Sequence, residues 1–528
     1  MSLTLAAPPA PPAPPAPPAA LMPAPPVTRT RQLPIPPAGS TPTPPESTRP
    51  HRDAALDFVR FACLIVVVAL HSMMSSAELG VRGEVVPTVA LSGSLGFTIA
   101  SWFYQIMPLF FAIGGYAALS QWRRTQAKGG TWADYLSVRL RRLVAPVTVL
   151  IILAGLGVEI ASELGASPEL IAEAGRRIGQ PLWFLAVYVG LTSLVPLAAR
   201  FHARAPRRTV LALAGAVAVV DTVVAISGVT GLGYLNFLLV WPLIQQFGFF
   251  FHDAMHRPVR SGLLWTVAVL AVTVLGGLVA LGVHSPNMLV NLNPPTGALV
   301  LLGLAQIALL RLGHAWLSSL VAGGRARSVV ERDTQARIWD RLIAWGNKYG
   351  MHVYLWHMSV VITLIGVQGG LASLLAAAPH GTGLGLSTVI LPPVESAWWW
   401  MNRPVWLILV FAASAGVAVL AAKADVPKNE TLVKFVRTIT EGIRAAGGVI
   451  LPLSQRPRHG AGQRPHPRNR QLHRAILAVG LAVIGIAIAL LAGIAPFIWA
   501  AAAAVLLLGS LVIAAELPGV DGPSRLRP

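Results

Sequence analysis

Three ionisable residues share the first apolar run of the sequence: Asp57, Arg60 and His71. A charged or titratable side chain in hydrocarbon costs several kcal/mol, so each of these needs a partner or a task. Their spacing favours a common task. At about 100° per residue, the eleven steps from Arg60 to His71 close about three turns, so both project from one helix face, about 16 Å apart along the axis. Asp57, three residues before Arg60, lies within pairing distance of it. A cation at the rim and an imidazole deep on the same face suit a long ligand that enters at the charged end. Geometry alone leaves a second arrangement open, in which Arg60 reaches back to lipid headgroups and His71 bonds a neighbouring helix.

A second group is basic. Arg123, Arg124, Lys128, Arg139, Arg141 and Arg142 crowd into one connecting segment that ends Arg139-Leu140-Arg141-Arg142-Leu143-Val144-Ala145-Pro146. Guanidinium forks bind phosphate well, although loop charge that merely fixes topology would look the same. Asp221 stands in an otherwise apolar run, an expensive place for a carboxylate. His357 is a candidate for the same cavity or for an interhelical hydrogen bond, His352 reads as a residue near the outer interface with no task, and Asn236 and Trp241 read as packing residues. Trp398, Trp399 and Trp400 read as an interfacial belt. The single cysteine, Cys63, excludes an intramolecular disulfide and a cysteine-rich metal site. No metal-ligand spacing or phosphate-cradling glycine loop occurs, and no metal is expected.

The elements that must position these residues are helices. Of 528 residues, 54% are hydrophobic and only 12% are charged, far from the roughly 25% charged residues of soluble domains. Apolar stretches near the ~20 residues needed to cross hydrocarbon recur at 54–74, 95–121, 143–162, 181–199, 209–228, 234–251, 262–283, 296–317, 350–375, 404–422, 475–493 and 496–515. The expected fold is therefore all-α and polytopic: ten helices within 51–422, then a basic and amphipathic segment over 423–474, then a hairpin over 475–515 with no evident chemistry. Residues 1–50 form a Pro/Ala-rich arm that cannot bury a core and is expected to be disordered, and 516–528 form a short tail. Twelve crossings place both termini on one side. Of the 41 Lys and Arg, only Arg82, Arg176, Arg177 and Arg403 fall in the opposite set of connecting segments, Arg60 lying inside the first helix. Positive residues stay on the cytoplasmic side, so both termini are expected there. The net charge of +20 is then mostly topology. With no basic and aromatic groove, nucleic acid is not an expected partner. The bilayer is, and oligomeric state is not legible.

Against this background a resemblance becomes specific. The stretch Leu56-Asp57-Phe58-Val59-Arg60 running to His71 is similar to the Arg-x10-His motif of the acyltransferase-3 family of integral membrane O-acyltransferases. Five further features follow in the family's order: Phe110-Phe111-Ala112-Ile113-Gly114-Gly115-Tyr116; the pair Arg139 and Arg142 ahead of Pro146; Pro181-Leu182-Trp183-Phe184-Leu185-Ala186-Val187-Tyr188; Asn293-Pro294-Pro295-Thr296; and Tyr354-Leu355-Trp356-His357. The likeness covers roughly residues 52–422. Two departures stand out. Many relatives have Ser-Gly at Gly114-Gly115, and an acidic pair where this chain has Ala186, Val187 and Tyr188.

The resemblance implies transfer of an acyl group, acetyl or another short one, from acyl-CoA to a hydroxyl of a glycan, lipid-linked or other small acceptor. It implies His71 as the catalytic histidine, with Arg60 and Asp57 beside it. Arg139 and Arg142 would contact the donor's phosphates; from the residues themselves, Arg141 is expected beside them, and Asp221, His357, Trp183 and Tyr188 are expected to line the acceptor cavity. An acceptor hydroxyl needs a base in the transition state, and an imidazole with an ordinary pKa near 6.5 suits that role. An acyl-histidine intermediate is equally compatible with the residues. The composition, compatible with a GC-rich bacterial genome, points to a plasma membrane. The rival reading is a transporter or flippase with Asp221, Arg60 and His71 along the path. It calls for inverted repeats, and none is evident.

Overall fold

A computed structural model describes residues 53–255, 257–324, 329–377, 382–424, 467–515 and 517. The Pro/Ala-rich arm, most of the segment 423–474 and nearly all of the tail from 516 lie outside these residues.

The chain is a polytopic membrane protein. Among the described residues, twelve helical segments are long and apolar enough to cross a membrane, each overlapping one expected span. The first, α1 (Ala54–Met74), starts where Asp53 accepts the Leu56 N–H at 3.1 Å, a side-chain cap on an otherwise unpaired helix terminus. The segment after it is not the plain loop expected from the sequence. β1 (Ser75–Leu79) pairs antiparallel with β2 (Val85–Val89), Ser75 opposite Val89 and Leu79 opposite Val85. Val85, Val86, Thr88 and Val89 are β-branched, which suits a short ribbon. The ribbon begins directly on α1, the Ser75 N–H bonding the His71 carbonyl.

The expected span 95–121 is two helices, α2 (Leu95–Tyr104) and α3 (Met107–Ala127), separated at Gln105 and Ile106. Pro108 explains the restart, because proline fits the first turn of a helix and not its interior. There follow α4 (Trp132–Glu163), opened by a Thr131/Asp134 capping box, the short α5 (Pro168–Gly179), α6 (Leu182–Arg204) and α7 (Pro206–Ser227). A 3-10 turn (Thr230–Leu238) leads to α8 (Val240–Met255), then α9 (Ser261–Ala280) and α10 (Gly297–Val321).

The helix α11 (Val329–Ala376) runs for 48 residues. At 1.5 Å per residue that is about 72 Å against about 30 Å of hydrocarbon, so its charged first half extends the membrane span into aqueous surroundings. Glu331, Gln335, Ala336, Arg337 and Leu342 are good helix formers with no glycine or proline among them, which is why a stretch expected to be a loop is helical. After α12 (Thr382–Ile390) and α13 (Ala397–Ala424) come α14 (Pro467–Leu491) and α15 (Phe497–Ala515), which pack on each other and on α4 and α6.

Helices α3 and α8 approach through glycine. A Cβ at Gly115 would lie 2.6 Å from the Gln245 carbonyl oxygen, and Gly248 meets the α3 backbone at Ala112 still more closely. Without a hydrophobic drive between helices in lipid, such close backbone approach supplies the packing. The α1 helix in turn lies against α11, α10 and α13, the neighbours that decide what its polar face touches.

Candidate active site

His71 lies in the last turn of α1, and α11 brings His357 against it. His71 Nδ1 is 2.7 Å from His357 Nε2, and the two ring planes differ by only 6°. The second nitrogen of His357, Nδ1, lies 2.6 Å from the Tyr354 carbonyl oxygen one turn earlier on α11. That oxygen carries no hydrogen, so His357 Nδ1 must be the donor. A neutral imidazole has one N–H, so His357 Nε2 accepts and His71 Nδ1 donates to it. The lone pair of His71 is thereby left on Nε2. His357 is fully buried, whereas His71 keeps partial exposure. One imidazole is a spacer, and the other presents a free base.

Three further contacts fix this turn. Tyr354 donates its hydroxyl to the Pro181 carbonyl at 2.8 Å, joining α11 to the start of α6. Trp406 on α13 donates its indole N–H to the Ser72 carbonyl at 3.0 Å, beside His71. Ser72 bonds back to the Val68 carbonyl. Three helices therefore hold the carrier of the free imidazole nitrogen.

At the other end of α1, Asp57 and Arg60 form the expected pair, but loosely, at 3.8 Å. Asp57 also accepts 2.9 Å from Asn347 Nδ2 on α11, so Arg60 has only a share of the carboxylate. One turn below, Asp53 accepts from His314 Nε2 on α10 at 2.7 Å. Burial alone would raise the Asp53 pKa. The His314 hydrogen bond, the Leu56 N–H and the His314 charge together outweigh it and hold the carboxyl below its ordinary 3.8.

The basic residues divide. Arg123 donates to Asp253 of α8 at 3.0 Å, and the same carboxylate takes His202 Nε2 of α6 at 3.2 Å. Arg139 lies with its guanidinium carbon 5.8 Å from the Tyr135 ring centre. Arg141 donates to the Ala514 carbonyl at 3.2 Å, the last turn of α15, where helix carbonyls lack partners and cations are favoured. Arg142 is exposed. Arg123 and Arg141 are thus tied to α8 and α15, contacts that join segments far apart in sequence.

Of the four residues expected to line a cavity, Trp183 and Tyr188 join one aromatic cluster. Phe184 stands between them and the histidines, its ring 5.7 Å from Tyr188 and 5.2 Å from Tyr354, and Tyr354 lies 5.8 Å from His357. Gly114 makes room for this arrangement, since a Cβ there would stand 3.1 Å from the Tyr188 ring. The departure from Ser-Gly at this position therefore has a physical consequence. Asp221 is gathered elsewhere. Its carboxylate accepts from Asn236 Nδ2 at 2.7 Å and from the Gly297 backbone N–H at 2.8 Å, and His284 Nε2 lies 3.9 Å away. Gly297 opens α10, whose Thr296 makes no side-chain cap, so Asp221 serves as the cap from another helix. Burial holds His284 below the usual histidine range, against the pull of the Asp221 charge.

The arrangement in which His71 bonds a neighbouring helix is the one present, with His357 as the partner that no spacing named; Tyr354 entered only as part of a motif, and His314 and Arg403 were not singled out. The Arg403 guanidinium carbon lies 4.2 Å from the Trp399 ring centre and 5.5 Å from that of Trp406, which in turn holds the turn of His71. The belt reading of the tryptophan triplet needs correcting at its centre: Trp398 and Trp400 are exposed, but Trp399 is buried, because three consecutive helical residues cannot share one face.

Twelve helical segments of membrane-crossing length among the described residues, with a hydrogen-bonded imidazole between them, make a framework suited to membrane-bound transfer chemistry. A family model described as an acyltransferase domain matches residues 53–423, ending where α13 ends. The chain belongs to the acyltransferase-3 family and is a membrane acyltransferase. No curated protein and no solved structure matches it.

Proposed function

We propose that the enzyme moves an acyl group from acyl-CoA to a hydroxyl of a glycan, lipid-linked or other small acceptor at a plasma membrane, with both termini cytoplasmic. The observation that carries this reading is the contact of His71 Nδ1 with His357 Nε2, whose other nitrogen faces the Tyr354 carbonyl; with both rings neutral this leaves His71 Nε2 as the free basic atom of a part-buried pair. His71 Nε2 takes the proton of the acceptor hydroxyl as the oxygen attacks the thioester carbonyl. The tetrahedral intermediate collapses, the C–S bond breaks, and the departing CoA sulfur recovers the proton from His71. His357 positions the base by accepting from its Nδ1, and the Tyr354 carbonyl positions His357.

The donor enters at the Asp57 and Arg60 end of α1. Coenzyme A is a polyanion, and Arg60, Arg139, Arg141 and Arg142 supply guanidinium groups on the side where it is found. Arg60, loosely held by Asp57, is free to exchange a shared carboxylate for a phosphate. The acceptor approaches from the opposite side or from the lipid, toward the cluster of Trp183 and Tyr188.

The test is acyl transfer from labelled acyl-CoA by the purified protein in liposomes with cell-envelope extract. His71→Ala is expected to lower the rate by about 10²–10⁴-fold while the protein stays folded. Wild-type rates from a folded His71→Ala protein would overturn the mechanism.

A further inference from the structure

Beside the Arg60–His71 face of α1 runs a groove of about 310 Å³ with apolar walls. Val68 of α1 and Val353 of α11 stand at one end, and Phe61 and Trp345 at the other, while Phe411 and Ala415 of α13 form the third wall. Phe61 and Trp345 meet edge to face at that end, with ring centres 6.4 Å apart. Gly346 permits it, since a Cβ there would lie 2.6 Å from the Phe61 ring.

The open question is what fills the groove. The volume is about twice that of an engineered apolar cavity large enough for benzene, and the almost wholly apolar walls suit a hydrocarbon occupant. Its position names the occupant. Val68 lies three residues before His71 and Val353 four before His357, so the groove ends about one helical turn from both imidazoles. A thioester carbonyl at His71 would stand about one helical turn from this end of the groove. From Phe61 to Val68 the groove spans about 10 Å of helix rise, and from Trp345 to Val353 about 12 Å. A two-carbon acetyl group would leave most of it empty.

We infer that this groove binds the alkyl chain of the acyl donor and that the enzyme prefers acyl groups longer than acetyl. The inference rests on acyl-CoA being the donor, and it replaces the short acyl group that the family resemblance implied. Each methylene entering the groove from water strengthens binding by up to about fourfold, until the groove is filled and further carbons pass into the bilayer.

The test measures binding of acetyl-, butyryl-, octanoyl- and palmitoyl-CoA to the full-length protein in phosphatidylcholine nanodiscs, with empty nanodiscs subtracted. Affinity is expected to climb from acetyl to octanoyl and then level off. Ala415→Phe, which fills the groove from α13, is expected to remove the octanoyl gain and leave acetyl-CoA binding unchanged. Phe411→Ala, which widens it, is expected to move the plateau to longer chains and gives an independent readout should Ala415→Phe not fold. Equal affinity at every length would overturn the groove and leave the donor assignment standing. A length dependence indifferent to both variants would also overturn it, as chain partition into ordinary lipid. Binding of no thioester at any length would overturn the donor assignment and the groove together.

Discussion

Two neutral imidazoles in contact share one proton between their facing nitrogens, and which ring carries it decides which ring can act as a base. Here the Tyr354 carbonyl makes that decision. It fixes the proton on His357 Nδ1, and this in turn fixes the proton on His71 Nδ1. His357→Leu removes the acceptor and lets His71 turn over or take the other tautomer. It is expected to lower kcat on the order of 10²-fold with little change in KM for the donor. His357→Gln returns an amide oxygen to the same place and should recover part of the rate, a rescue that a purely structural role would not give. Steady-state kinetics on the three proteins check this. At this scale the sequence was legible only where periodicity is local. Asp57, Arg60 and His71 share a face because the helix repeat says so. His71 and His357 are 286 residues apart, and no spacing rule joins them.

At the scale of elements, helix ends hold the site. Asp53 caps α1 and bonds His314 of α10, so a single carboxylate both starts one helix and ties it to a second. Asp53→Ala is expected to cost about 1 kcal/mol for the cap, with a further loss from the broken tie. Asp53→Asn should keep most of the cap and lose the charge. Because the folded carboxyl sits below its ordinary 3.8, its stabilisation is present above that pH and disappears as pH falls through the folded value. The melting temperature of the wild type should therefore drop more steeply below about pH 4 than that of Asp53→Asn, by thermal unfolding in detergent at a series of pH values. An equal drop for both would remove Asp53 from the account. The membrane helices themselves were readable as apolar runs of the right length, since hydrocarbon thickness imposes that length. The ribbon of β1 and β2 and the charged half of α11 were not, because both belong to segments whose hydropathy resembles that of a loop, and the break at Gln105 was not, because it lies inside an apolar run that reads as one span.

For the whole molecule, the family match ends at residue 423, yet the packing does not. The hairpin of α14 and α15 buries Ala475, Ala478, Ala482 and Ala489 on one helix and Ala500, Ala503 and Ala514 on the other, a seam of small residues at helical spacing. Gly155 of α4 faces Ala500 so closely that an added Cβ would lie 2.6 Å from the alanine methyl. This gives a test of sign. In an unpacked helix Gly155→Ala would stabilise by up to about 1 kcal/mol. Against the hairpin it is expected to destabilise by about 1–3 kcal/mol, read as a lower melting temperature of the full-length protein. A raised melting temperature would mean that the hairpin does not rest there. Arg141 adds a second link through the Ala514 carbonyl, so an arginine of the basic cluster expected to receive the donor also holds the last helix.

The sequence by itself determined that this is a polytopic helical membrane protein, which face of α1 carries its charged groups, and, through six ordered motifs, its family. Hydrophobic length and helical period are properties of neighbouring residues, and a chain read in order displays them. Tertiary structure alone decided that His357 rather than Arg60 is the direct partner of His71, that Asp221 caps a distant helix, and that an apolar groove ends one turn from the two imidazoles. Each is a meeting of groups from helices far apart in sequence, set by how those helices pack.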